Sequence, residues 1–174
     1  ARLGRLARLP RADWGKMAAH TGLGITFIGV AGILAWQVED IRVAQIDEPY
    51  AVGAYTITLQ DVRQERGPNY VTTIADLQVQ RGDRAPYVLT PESRFYPVAN
   101  MPTTEAAIKN GVLQDIYAVI GEPQPDGGYT VRVYIKPLAN WIWGGCILMA
   151  LGGLISLTDR RLRVAAGAAK PKTV

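Results

Sequence analysis

The sequence predicts a membrane protein in which two transmembrane α-helices flank an antiparallel β domain, a sandwich or small open barrel. Three observations predict it. Met17 to Trp36, MAAHTGLGITFIGVAGILAW, is an uncharged run of the roughly 20 helical residues that a hydrocarbon core about 30 Å thick requires. A second apolar block follows from Leu138 to Leu157. The region between them is rich in β-branched residues, tyrosine and turn formers, and holds short segments that alternate apolar and polar residues, the pattern of half-buried strands.

The elements divide the chain into residues 1–16, a basic cytoplasmic flank; 17–36, the first span; 37–137, the β domain; 138–157, the second span; and 158–174, a basic cytoplasmic tail. The net charge of +4 comes from the ends. The flank holds Arg2, Arg5, Arg8, Arg11 and Lys16 against Asp13, and the tail holds Arg160, Arg161, Arg163, Lys170 and Lys172 against Asp159. Between the two ends the balance is acidic, which excludes nucleic acid as a partner. Basic residues beside a span stay in the cytoplasm, so both termini lie inside and the β domain outside. Arg2, Arg5 and Arg8 interleave with Leu3, Leu6 and Leu9, a weakly amphipathic pattern or an ordinary basic flank. The apolar run is too long for a signal-peptide core and lacks a prompt cleavage pattern, so the reading retains it as a span. Starting at Ala1 fits a portion of a longer chain.

Trp14 and Trp36 bracket the first span, and Trp141 and Trp143 mark the start of the second, because indoles favour the headgroup level. Gly22, Gly24, Gly29 and Gly32 let a membrane helix come close to a neighbour. In the β domain, Tyr55, Ile57 and Leu59 alternate with Thr56, Thr58 and Gln60, and Ala75, Leu77 and Val79 alternate with Asp76, Gln78 and Gln80. Arg66-Gly67-Pro68-Asn69 is a turn that joins them as a hairpin. Further strands are expected at Tyr87–Thr90, Arg94–Val98, Leu113–Gly121 and Tyr129–Lys136. Thr103 and Thr104 are expected to cap a helical turn from Glu105 to Lys109. Cys146 is the only cysteine, so the chain holds neither an internal disulfide nor a CxxCH haem-attachment motif.

The chemistry narrows to one residue. The β domain has no histidine, cysteine, phosphate loop or nucleophile elbow. Glu92 and Glu105 read as solvated carboxylates, and Arg94, Phe95 and Tyr96 as strand alternation or a binding ledge. His20 is the only histidine and lies in the first span, on one helical face with Gly24, Phe27 and Ala31. An ionisable residue at that depth is read first as functional. Two readings of it stand side by side: a ligand facing a porphyrin edge, and a neutral imidazole hydrogen-bonded to a partner helix.

MAAHTGLG at a span entrance, GPNY in a hairpin, LTPESRFY, TTEAAI, RVYIKPLANWIWGG and the closing GGLISLTDRR occur in an order that resembles the C-terminal part of the CcmF family of cytochrome c-type biogenesis proteins. The resemblance covers Gly15 to Arg161. It implies an inner-membrane, multi-pass protein with a periplasmic β domain. The family acts as a haem lyase with CcmH-type and CcmI-type subunits, receiving haem from the haem chaperone CcmE and attaching it to apocytochrome c. It also implies a b-type haem held in the membrane by two histidines, with His20 at one of those positions as an axial ligand of the iron. The chain departs from the family in lacking the tryptophan-rich segment, a periplasmic histidine and a second membrane histidine. It is therefore expected to be non-catalytic alone, supplying one haem ligand and one domain. A docking scaffold for assembly partners with a structural histidine is the rival reading, and a piece of a channel or transporter a more distant one.

Overall fold

The computed structural model describes residues 10–159 of the chain, and the expected amphipathic flank and most of the basic tail lie outside them. Ten strands form the β domain: β1 (Val38–Ala44), β2 (Pro49–Val52), β3 (Tyr55–Arg66), β4 (Val71–Gln80), β5 (Tyr87–Leu89), β6 (Glu92–Tyr96), β7 (Met101–Glu105), β8 (Ala107–Lys109), β9 (Gln114–Pro123) and β10 (Tyr129–Pro137). Helix α1 (Arg11–Trp36) precedes them and α2 (Ala139–Leu157) follows. The chain forms two compact units, one of Gly32–Ala139 and one holding most of both helices.

The domain is a two-sheet sandwich. One sheet has the order β1-β10-β9-β8; the other has the order β2-β3-β4-β6-β7, with β5 also on β4. All named strand pairs are antiparallel. The alternation read from the sequence sets which face is buried. Ile57, Leu59, Leu77 and Val79 from one sheet and Ile120, Val131 and Val133 from the other are each at most 1% exposed and form the core. Each such side chain contributes about 1.5–3 kcal/mol by leaving water. A register shift between Leu59 and Asp61 changes the phase of the β3–β4 ladder. Beyond it β4 exchanges β5 for β6, and the Ala75 N–H at the break donates to the Pro91 carbonyl at 3.1 Å.

The hairpin at Arg66–Asn69 forms as expected, with the Gly67 N–H donating to the Tyr70 carbonyl at 2.9 Å. The expected helical turn from Glu105 to Lys109 does not form. Met101–Glu105 pairs with β6, Ala107–Lys109 pairs with β9, and the chain crosses from one sheet to the other at Ala106. Two sheet edges take up those backbone groups, and tertiary pairing outweighs local capping. Thr103, expected to cap the turn, buries its hydroxyl with no hydrogen-bond partner among the described residues.

β1 pairs with β10 along the whole length of β1, from Val38 opposite Ile135 to Ala44 opposite Tyr129. The connections to the two helices therefore leave this sheet side by side. Leu138 turns the chain with a φ of 56°, and its N–H donates to the Leu113 carbonyl at 2.8 Å. A Cβ added to Gly32 in the last turns of α1 would lie 2.9 Å from the Leu138 side chain.

Candidate functional site

Both helices are long and apolar enough to cross a membrane. A continuous helix is the form in which such a segment satisfies its own backbone in lipid. The two helices meet through their smallest residues. A Cβ built on Gly15 would lie 2.5 Å from the Gly152 carbonyl oxygen, and one on Gly22 would lie 2.6 Å from that of Gly145. Thr26 adds polar contact, donating to its own Gly22 carbonyl at 3.1 Å and reaching the Ile142 carbonyl of α2 at 3.5 Å. At the start of α1 the Ala12 N–H donates to Asp159 Oδ2 at 2.9 Å. This places a carboxylate on the positive end of the helix dipole and occupies one of its free donors.

His20 points the other way. Gly15, Gly22 and Gly29 are buried, whereas His20, Gly24, Phe27 and Ala31 are all exposed and share the opposite side of the helix. The expected alignment of these four residues is present, and the helix they turn away from is the one that packs against α1. His20 Nδ1 lies 2.7 Å from the Lys16 carbonyl oxygen. That oxygen only accepts, so Nδ1 carries a proton, and in a neutral imidazole Nε2 is then the nitrogen with the lone pair. A backbone carbonyl holding one ring nitrogen in this way sets the tautomer and orients the ring for coordination through the other. One turn along, a Cβ on Gly24 would meet nothing within 4 Å. A fixed donor atom beside an open helix surface suits one axial side of a flat metal macrocycle. The hydrogen-bond partner of the imidazole is its own helix, so no contact to α2 explains its presence.

Elsewhere the structure gathers residues that the sequence left separate. Arg94 Nε donates to Glu92 Oε2 at 2.9 Å, and its Nη1 lies 3.4 Å from Glu105 Oε1. These two carboxylates face each other across β6 and β7, with the guanidinium between them. Arg94 holds the Glu92 carboxyl below the usual carboxylate range, and the Thr72 hydroxyl donates to the same oxygen at 3.2 Å. The guanidinium also lies 4.8 Å from the Tyr70 ring centre, and Tyr70 packs against Tyr96. Arg94 and Tyr96 are thus engaged within the sheet, and Glu92 is an ion-pair partner rather than a solvated carboxylate. No group of three or more His, Cys, Asp or Glu that could hold a metal ion occurs among the described residues.

Arg42 is fixed by Asp40, with both hydrogen bonds at 2.5 Å, and stacks 4.4 Å from the Tyr50 ring centre. The Tyr50 hydroxyl is buried with no hydrogen-bond partner among the described residues, and burial pushes its pKa up to about 12. Strand β2, which carries Tyr50, was not legible in the sequence; the only signal was the Glu48-Pro49 break ahead of it.

Comparison with known proteins accounts for both units. The family description "CcmF C-terminal beta-sandwich" matches residues 35–137. The chain is 58% identical over 165 residues to the cytochrome c-type biogenesis protein ccl1 of Rhodobacter capsulatus, covering 95% of this chain and 25% of that protein. It is 39% identical over 163 residues to the cytochrome c-type biogenesis protein CcmF of Escherichia coli, covering 93% and 25%. A solved structure of "Cytochrome c Heme Lyase CcmF" has the same fold, with a TM-score of 0.72 at 22% identity over 91% of this chain and 27% of that one. The chain thus spans about a quarter of the length of the curated relatives it matches. Two membrane-length helices, a sandwich of the matching description and this degree of identity lead to one conclusion: the chain belongs to the CcmF family, of which it carries the C-terminal β-sandwich.

Proposed function

We propose that the chain serves cytochrome c maturation as part of a membrane haem lyase, and that His20 supplies one axial ligand of a b-type haem in the membrane. The observation that carries the ligand assignment is the hydrogen bond from His20 Nδ1 to the Lys16 carbonyl at 2.7 Å, which makes Nε2 the coordinating nitrogen of a neutral imidazole. Bound haem supplies reversible electron transfer, at a potential tuned by its axial ligands and their hydrogen bonds. The residues of this chain hold and orient. Lys16 fixes the imidazole, Gly24 leaves room one turn away, and Phe27 offers an apolar edge on the same face. With one histidine in the chain, the second ligand comes from elsewhere.

In this reading the protein sits in the inner membrane with both termini cytoplasmic and the sandwich periplasmic. It works with CcmH-type and CcmI-type subunits, the haem chaperone CcmE and apocytochrome c. The basic residues at both ends support that orientation, and the names of the relatives support the process. The test is the absorbance spectrum of the membrane-purified protein with and without His20→Ala. Loss of the b-type bands supports ligation, whereas unchanged bands reject it and favour a docking scaffold with a structural histidine.

A further inference from the structure

One end of the sandwich carries a cationic cleft that the haem reading leaves unused. It has a volume of about 450 Å³ and is lined by Arg81 and Arg84 from the β4–β5 turn, Lys109 at the end of β8, the rings of Tyr55 and Tyr87, and the Val112–Leu113 loop. Among the described residues no carboxylate lines it. Arg42, Arg63 and Arg94 of the same domain each hold a carboxylate, but among the described residues Arg81, Arg84 and Lys109 hold none within 4.0 Å. Arg81 lies 5.5 Å from the Tyr55 ring centre and Lys109 lies 5.4 Å from that of Tyr87. The charged head of each exposed side chain therefore lies over an aromatic ring. Burial pushes the Tyr87 phenol up to about 12, so it stays a neutral donor.

Neither acid near the cleft in the chain is among its lining residues: Asp83 sits in the same turn as the two arginines, and Asp115 is buried with Oδ1 accepting the Gly111 N–H at 2.8 Å. The position of the cleft points to the occupant. Val112 and Leu113 are 78% and 66% exposed, two adjacent apolar side chains at a loop tip. The Leu113 carbonyl accepts the Leu138 N–H at 2.8 Å, Leu138 is the residue before α2, and its side chain packs against Gly32 near the end of α1. One wall of the cleft is thus tied to Leu138, the residue that precedes α2 in the chain. Unpaired cations next to exposed apolar residues at such a place match a phosphate headgroup with its acyl chains alongside.

We infer that Arg81, Arg84 and Lys109 bind the phosphate of an anionic membrane lipid, with Val112 and Leu113 set against its acyl chains. The experiment titrates the delipidated, membrane-purified protein with phosphatidylglycerol and with phosphatidylcholine, and counts retained lipid by native mass spectrometry. One phosphatidylglycerol per chain is expected, held at least tenfold better than phosphatidylcholine. Surface cations contribute about fivefold each to such binding, so Arg81→Gln with Lys109→Gln should lower the retention on the order of twentyfold. The charge-matched pair Arg66→Gln with Arg132→Gln should leave it unchanged. If the cleft pair fails to fold, Lys109→Gln alone carries the test with about a fivefold loss. Equal retention of both lipids, or retention that survives the cleft substitutions, overturns the inference. Glycerol phosphate in solution binding as well as the lipid would assign the cleft to a free phosphate and overturn it too.

Discussion

Replacing Gly22 by Ala adds one methyl group, and its effect is decided by what that methyl meets. Its Cβ would lie 2.6 Å from the Gly145 carbonyl oxygen and 2.8 Å from the Met149 nitrogen. Both are backbone atoms of a hydrogen-bonded helix, so neither swings aside and the two helices must part locally. Overpacking of this kind costs about 1–3 kcal/mol. The same substitution at Gly24, two residues along the helix, places its Cβ where nothing lies within 4 Å. Alanine is favoured over glycine by about 0.8–1.0 kcal/mol inside a helix. That term is common to both positions, as is the change in the unfolded chain, so the difference between the two variants isolates the interhelical clash at about 1–3 kcal/mol. Unfolding the detergent-solubilised protein with increasing fractions of sodium dodecyl sulfate, followed by near-UV circular dichroism, gives both stabilities. Gly24→Ala should match or exceed the parent protein, and Gly22→Ala should fall below it. Equal stabilities within about 0.5 kcal/mol, the usual scatter for independent sites, would refute a helix pair built on that contact.

Other outcomes follow from the same structure. Tyr50→Phe removes a buried hydroxyl that has no partner among the described residues, so denaturant titration at neutral pH should show unchanged stability or a gain of up to about 1 kcal/mol. Burial raises the Tyr50 pKa from 10.0 to about 12. Its contribution is therefore complete below pH 10 and is lost as pH rises towards 12, because the unfolded chain ionises first. The Phe variant should lose stability less steeply across that window, and equal slopes would contradict the burial argument. For orientation, Asn69→Cys in a Cys146→Ser background should react with an impermeant maleimide from the periplasmic side of the membrane, and reaction from the cytoplasmic side alone would invert the proposed topology.

Much of the fold was legible because its periodicities are local. The alternation through Tyr55–Gln60 and Ala75–Gln80 named the faces that form the core, and the Arg66–Asn69 turn named their pairing. β1 was not legible: in VEDIRVA only Ala44 is buried, and the strand exists because β10 offers it a ladder. The misread turn after Thr104 has the same cause, since TTEAAIK satisfies local capping rules while two sheet edges compete for its backbone. Glu92 and Glu105 stand thirteen residues apart in the sequence, and only the pairing of β6 with β7 puts Arg94 between them.

By itself the sequence determined the two apolar helices, the β domain between them and the face on which His20 stands with Gly24, Phe27 and Ala31. Each depends on a helical or strand period that neighbouring residues carry. Tertiary structure decided which helix faces are occupied, because close approach through Gly15, Gly22, Gly145 and Gly152 requires both helices at once. It thereby decided that His20 turns away from α2 with its ring held by the Lys16 carbonyl. Helical spacing assigns a residue to a side of its own helix, and only packing determines which side stays open.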